Sequence, residues 1–298
     1  MFSTAMKYVL VGLGEILWDL LPSGKQLGGA PANFACHARN LLAEGIVASC
    51  VGNDELGRQI LGRLDALQMC RAHVAIDCAH PTGTVSVEVN PIGDPAYIIR
   101  EHVAWDFLPS SRALDDLADR AHAVCFGSLA QRSEVSRNTI RTFLEKTRAD
   151  ALRIFDVNLR EPFYSSEVID TSIQLANVLK LSWSELPVVA QLLSIHGDET
   201  SLLNELTRRY NLRLIALTKG EKGSVLFSCG RMSTHRGFTV KTVDSVGSGD
   251  AFVAALALGI LNGYDLNRIN DGANRIASFV CTQWGATPGL PQELVNLF

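Results

Sequence analysis

Hydrophobic positions along this chain fall into two alternating kinds of segment. Short, largely apolar runs such as Lys7 to Gly12 and Ile46 to Gly52 end in glycine, as strands covered on both faces of a mostly parallel sheet do. Between such runs the apolar residues take helical spacing. Leu56, Ile60, Leu64 and Leu67 mark a helix over Asp54 to Leu67. Pro31, whose missing N–H costs nothing in a first turn, opens another to about Leu42. After Ala121 the alternation resumes, with strands near Ala123–Gly127, Arg153–Val157, Val178–Leu181 and Leu212–Thr218.

Two stretches break the rhythm. Thr84 to Val89 and Tyr97 to Val103, joined by a turn at Pro91, Gly93, Asp94 and Pro95, alternate with period 2, so one face is buried and one polar. Such a hairpin cannot lie inside a doubly covered parallel sheet. It reads as part of a small β-lid, the competing reading being an antiparallel edge of the main sheet. Later, Gly223–Phe227 and Arg231–Val240 suggest two antiparallel strands around Ser228 to Gly230, and a last helix spans Leu266 to Trp284. Ala251 to Leu261 is apolar on every side, the pattern of an enclosed helix.

Composition narrows the function classes. A chain of 298 residues that is 47% hydrophobic can bury a sizeable core. A net charge of −4 without a lysine and arginine run gives no footprint for nucleic acid or an acidic membrane surface. The seven cysteines are odd in number and contain no Cys-x-x-Cys, which suits core thiols in a reducing compartment. No apolar stretch is long enough to span a bilayer, and Met1 to Lys7 lacks a signal-peptide pattern. The expectation is a cytoplasmic protein. Dinucleotide, Walker, zinc and nucleophile-elbow motifs all fail on spacing.

The chemistry concentrates in Val243-Asp-Ser-Val-Gly-Ser-Gly-Asp-Ala-Phe252. A glycine turn opening a buried helix offers free N–H groups and the positive end of the helix dipole, a site for an anion such as phosphate. Asp250 at that cradle is either a helix cap or the group that meets a second reactant. Near the other end, Gly28 and Gly29 can turn amides toward a ligand, and Asn33, one helical turn on, both donates and accepts. With the Asp19 carboxylate they suit a polyhydroxylated substrate, or form only a tight turn. Further polar residues gather just past strand ends: Asp156 and Asn158, Ser182 and Glu185, Thr218, Lys219 and Gly220. In open α/β sheets ligands bind at that edge.

Gly28-Gly29-x-x-x-Asn33 and Asp244-Ser-Val-Gly-Ser-Gly-Asp250 together resemble the two signatures of the PfkB family of sugar kinases, the ribokinase-like fold. Gly14-Glu-x-x-x-Asp19, Asp156-Val-Asn158-Leu-Arg160 and Thr218-Lys219-Gly220 extend the likeness over nearly the whole chain. Fructokinases are most similar, with 2-keto-3-deoxygluconate kinases next. The resemblance implies one domain over residues 1–298, a three-layer α/β/α sandwich with a mostly parallel sheet and a β-lid from about 13–30 and 83–106. It implies ATP and Mg²⁺ as cofactors, a small sugar as partner, and a homodimer through the lid. The amides of Gly247, Ser248 and Gly249 would form an anion hole, with Asp250 the base. Asp19, Gly28, Gly29 and Asn33 would hold the sugar, and Arg100 in the lid and Arg160 after a core strand are placed where a guanidinium could hold a sugar-acid carboxylate. Asn158, Lys180, Thr218, Gly220 and Asn274 would lie along the nucleotide, Asn274 nearest the adenine. Glu185 would reach Mg²⁺ through water, although Ser182 stands where the family's Asn-x-x-Glu has its Asn. Asp244 and the Val246 carbonyl match a monovalent-cation site, which K⁺ would fill. A kinase-fold sugar sensor without turnover is the rival, and intact Asp250 with its glycines argues against it.

Overall fold

The computed structural model describes residues 8–21, 24–89 and 95–298; the first seven residues and the turn expected over 91–94 lie outside them. The strands in chain order are β1 (Val9–Leu13), β2 (Leu17–Leu21), β3 (Gly24–Gly28), β4 (Glu44–Gly52), β5 (Val74–Asp77), β6 (Gly83–Val89), β7 (Pro95–Ile99), β8 (Ala123–Gly127), β9 (Leu152–Asp156), β10 (Val178–Ser182), β11 (Leu214–Thr218), β12 (Ser224–Ser228) and β13 (Arg231–His235). They form two sheets. The larger runs β13-β12-β11-β10-β9-β8-β1-β4-β5, parallel from β5 to β11 and antiparallel at β12 and β13.

Alternation along each strand divides the core into layers. In β1, Val9, Val11 and Leu13 pack toward the helices Arg112–Arg120, Glu134–Glu145 and their successors, while Leu10 packs on the opposite face toward Ala30–Asn40 and Ser248–Leu261. That is a three-layer α/β/α sandwich. Ser248–Leu261 is buried without a break from Ala251 to Ile260, as its uniformly apolar sequence requires, so its first turn is held rigidly by everything around it.

The period-2 hairpin lies in the second sheet, of order β3-β2-β6-β7, rather than at an edge of the first. Three boundaries differ from the sequence reading. The strand expected over Tyr97–Val103 is Pro95–Ile99, because His102 takes a left-handed φ of 54° and Ala104–Phe107 coils into a 3₁₀ turn. The strand expected over Arg231–Val240 stops at His235, before Gly237 with φ 77°, and the last long helix ends at Cys281. Among the described residues no helix is long and apolar enough to cross a membrane.

Candidate active site

A cavity of about 610 Å³ opens where the second sheet faces the carboxyl edge of the first. Strand register explains the sheet's contribution. Gln26, Asp19, Val85 and Ile99 are cross-strand partners in one row, so their side chains share a face, and all four line the cavity. Leu17 and Leu21, two positions either side of Asp19, line it too. The neighbouring row, Lys25, Leu20, Ser86 and Ile98, faces away.

Opposite stand the two motif ends. Gly29, with φ 103°, lies so close to Glu15 that an added Cβ would come 2.4 Å from its carbonyl oxygen, and one at Gly28 would meet the Asp19 carboxylate at 2.2 Å. These glycines therefore bring the start of the helix Ala30–Asn40 against Glu15 and Asp19. From that helix the Asn33 amide donates to Asp250 Oδ2 at 2.9 Å. Asp250 sits in the first turn of Ser248–Leu261 and caps nothing: the N-cap is Gly247, with no side-chain cap bond. Gly247 has φ 78°, and a Cβ there would stand 2.0 Å from the Ala286 carbonyl oxygen. His37 bonds that same carbonyl at 2.9 Å. Burial pushes the His37 imidazole down to about 4, so at neutral pH it is uncharged and braces the loop behind the glycine turn.

No acceptor among the described residues takes the N–H of Gly247 or Gly249. Ser248 differs from expectation. Its N–H and hydroxyl both turn back on the Ser245 carbonyl, at 3.3 and 2.8 Å, leaving the amides of Gly247 and Gly249 as the two open ones in this turn. A Cβ at Gly249 would lie 3.3 Å from Lys180 Nζ, which places an ammonium beside the open amides. Lys180 is buried and makes two bonds to Asp156, at 2.9 and 3.1 Å. Burial works against its charge, but Asp156 and Glu185 outweigh it and hold its pKa above the ordinary value.

Three carboxyls around the cavity are shifted upward, each chiefly by burial. Glu15 is pushed to about 7, with Asp250 adding to the shift and Arg160 opposing it. Asp19 reaches about 6 against the pull of Arg160. Asp250 reaches about 6, raised further by Asp156 and drawn back by Asn33, Lys180 and Arg160. Such tuning marks sites where protons move.

Of the residues expected to hold a sugar, Asp19, Gly29, Asn33 and Arg160 line the cavity. Arg100 does not. It follows β7, still paired through its N–H to the Thr84 carbonyl at 3.1 Å, and strand alternation turns its exposed side chain to the face opposite Ile99, while its carbonyl accepts from Arg132. On the expected nucleotide side, Asn158 lines the cavity with φ 39°, while Thr218 and Gly220 stand at the end of β11. The Asn274 amide nitrogen is engaged in a buried network, donating to Ser224 Oγ at 2.7 Å and to Asn270, and so joins helix Leu266–Cys281 to β12. Glu185 accepts from Leu159 N–H, Ser182 N–H and Ser182 Oγ at 2.7 to 2.8 Å. Asp244 accepts from the N–H groups of Val246 at 3.0 Å and Gly285 at 3.1 Å, pinning the glycine turn to the loop after the last long helix.

Sequence reasoning assigned no role to Glu15, Gln26 or His37. Glu15 was visible as part of the Gly14-Glu-x-x-x-Asp19 run but without a task of its own; Gln26 and His37 carry no local signal, since strand register and long-range packing place them.

A family model described as pfkB family carbohydrate kinase matches residues 23–293. The fructokinase of Escherichia coli is 31% identical over 306 residues, spanning 95% of this chain and 96% of the relative. The fructokinase of Vibrio cholerae in its fructose, ADP and calcium ion bound form has a TM-score of 0.81 at 27% identity, over 98% of this chain and 99% of that one. A sugar kinase of Pyrococcus horikoshii in complex with ATP has a TM-score of 0.81 at 28% identity, over 97% and 100%.

Proposed function

Because the chain belongs to the PfkB family of carbohydrate kinases, phosphotransferases with a hydroxyl acceptor, we propose that it moves the γ-phosphoryl group of ATP onto a hydroxyl of fructose. The observation that carries this reading is the partly buried Asp250 carboxylate, fixed by Asn33 at 2.9 Å on the same helix turn whose open amides and Lys180 neighbour can receive a phosphoryl group. The hydroxyl proton passes to Asp250 as its oxygen bonds to the γ-phosphorus, the bond to the β–γ bridging oxygen breaks, and ADP leaves. The Gly247 and Gly249 amides and the Lys180 ammonium take up the charge that develops.

Among the described residues no cluster of three metal-ligating side chains exists, which suits Mg²⁺ held largely by phosphates and water. A carboxylate offers about four lone-pair sites, and Glu185 gives three to protein donors; the fourth fits a metal-bound water. Ser182, in place of the family's Asn, is thereby the residue that orients Glu185. When bound, Mg²⁺ neutralises phosphate charge. Asp244, aimed by its two backbone bonds, and the Val246 carbonyl suit K⁺ beside the anion hole.

The second sheet serves as the lid over the sugar. Leu20 and Ile98, 37% and 43% exposed on its outer row, suit a homodimer formed through it. Arg160 favours one alternative, because a guanidinium lining the sugar cavity can grip a carboxylate, as 2-keto-3-deoxygluconate would present. An ADP-release screen over hexoses, pentoses, nucleosides and keto-deoxy acids tests the reading. Fructose is expected to show the highest kcat/KM. Preferential turnover of 2-keto-3-deoxygluconate, abolished by Arg160→Ala, would overturn fructose.

A further inference from the structure

Glu15 lies between β1 and β2, is 2% exposed and lines the cavity with Asp19, Asn33 and Asp250. The backbone N–H groups of Glu15 itself and of Ala30, the first residue of the helix that carries Asn33, favour the ionised form of its carboxylate. Its Oε2 is buried, and no donor among the described residues reaches it; the same holds for Asn33 Oδ1. Two buried acceptors without donors in one cavity are costly unless something donates to them. A sugar carries several hydroxyl donors, and a cavity of acceptors is what such a molecule satisfies.

We propose that Glu15 is a substrate-binding residue whose Oε2 accepts a hydrogen bond from a hydroxyl of the sugar, beside the one Asn33 Oδ1 receives. The inference rests on the sugar-site reading of this cavity and adds a contact that sets which hydroxyl pattern the site accepts. Glutamine cannot reproduce this contact, since its amide has one neutral acceptor oxygen and adds a donor of its own. Charged and titratable neighbours are Arg160 after β9, Asp250 on Ser248–Leu261 and Asp19 on β2, with Lys180 and Asp156 behind Asp250. Glu15 titrates near 7 without substrate. A hydroxyl donating to it favours the ionised form, so sugar binding near that pH releases a proton to the buffer.

The test compares native chain and Glu15→Gln with the best sugar of the panel and its monodeoxy analogues. Glu15→Gln should raise the sugar KM roughly 10- to 100-fold, the worth of a hydrogen bond to a charged group, with kcat and the ATP KM little changed. One deoxy sugar should lose as much on the native chain and nothing further on the variant. A sugar KM left unchanged, or raised together with the ATP KM and a lowered thermal midpoint, would reduce Glu15 to a brace for the helix. Should the variant not fold, calorimetry on the native chain in buffers of different ionisation enthalpy decides: proton release centred near pH 7 supports the contact, and no release overturns it. If the native chain turns over no sugar, the reading of the cavity itself fails and this one with it.

Discussion

The Asn33 amide and the Asp250 carboxylate meet at 2.9 Å across 217 positions of sequence, joining the two motifs into one site. The bond holds one carboxylate oxygen; in the proposed reaction the other meets the substrate hydroxyl. It also lowers the Asp250 pKa against the effect of burial. Removing it in Asn33→Ala should move the acid limb of the kcat profile to higher pH than in the native chain, where Asp250 titrates near 6. A pH–rate series on both proteins checks this; coincident acid limbs would detach Asp250 ionisation from turnover.

Lys180 and Asp156 form a second buried pair, and here stability and catalysis can be separated. Lys180→Met strands the Asp156 carboxylate, a change that costs about 3–5 kcal/mol for buried pairs. Without the ammonium the Asp156 pKa must rise. A raised folded pKa means stability that is present at low pH and lost as pH climbs through it. The variant's thermal midpoint should therefore trail the native one more at pH 8 than at pH 5. Adding Asp156→Asn should restore much of the midpoint but not the turnover, since the charge beside Gly249 is still missing.

Asp244 joins the glycine turn to Gly285 at 3.1 Å with its side chain partly buried. A cation bound there would add positive potential behind the anion hole. Turnover should rise when K⁺ replaces a large organic cation at constant ionic strength, and Asp244→Asn should blunt that rise. If neither swap nor substitution alters the rate, Asp244 serves only to pin two loops.

Local pattern carried the fold because burial on both faces leaves a mark on every strand: Leu10 and Val11 are both fully buried on opposite faces of β1, and such runs read plainly. Strand ends were less legible, since a left-handed residue such as His102 looks ordinary in sequence. The glycine motifs announced their site because backbone approach admits no side chain, as at Gly247 against Ala286. Ser248 was harder to read: its neighbours are defined by what they lack, whereas its own hydroxyl finds an acceptor in Ser245. Residues placed by register, such as Gln26 opposite Asp19, leave no trace in a linear pattern, and neither does the pairing of Lys180 with Asp156 across adjacent strands.

The remaining prediction separates base from brace at Asp250. Asparagine is nearly isosteric and still accepts the Asn33 hydrogen bond, but it cannot take a proton. Asp250→Asn should lower kcat by roughly 10²- to 10⁴-fold with little change in either KM. A largely dissociative phosphoryl transfer, in which the proton leaves late, puts the loss toward the smaller figure. Stability gives an independent sign. The folded pKa of Asp250, about 6, lies above the ordinary 3.8, so its contribution is intact below that ordinary value and is lost as pH rises through 6. The penalty at pH 8 is on the order of 3 kcal/mol for a shift of this size, partly offset in the variant by the burial of a new amide nitrogen. The midpoint of Asp250→Asn relative to the native chain should therefore climb between pH 4 and pH 7 while turnover collapses. Near-normal turnover would remove Asp250 as the base, and a relative midpoint that falls with pH would mean the native carboxylate stabilises the fold.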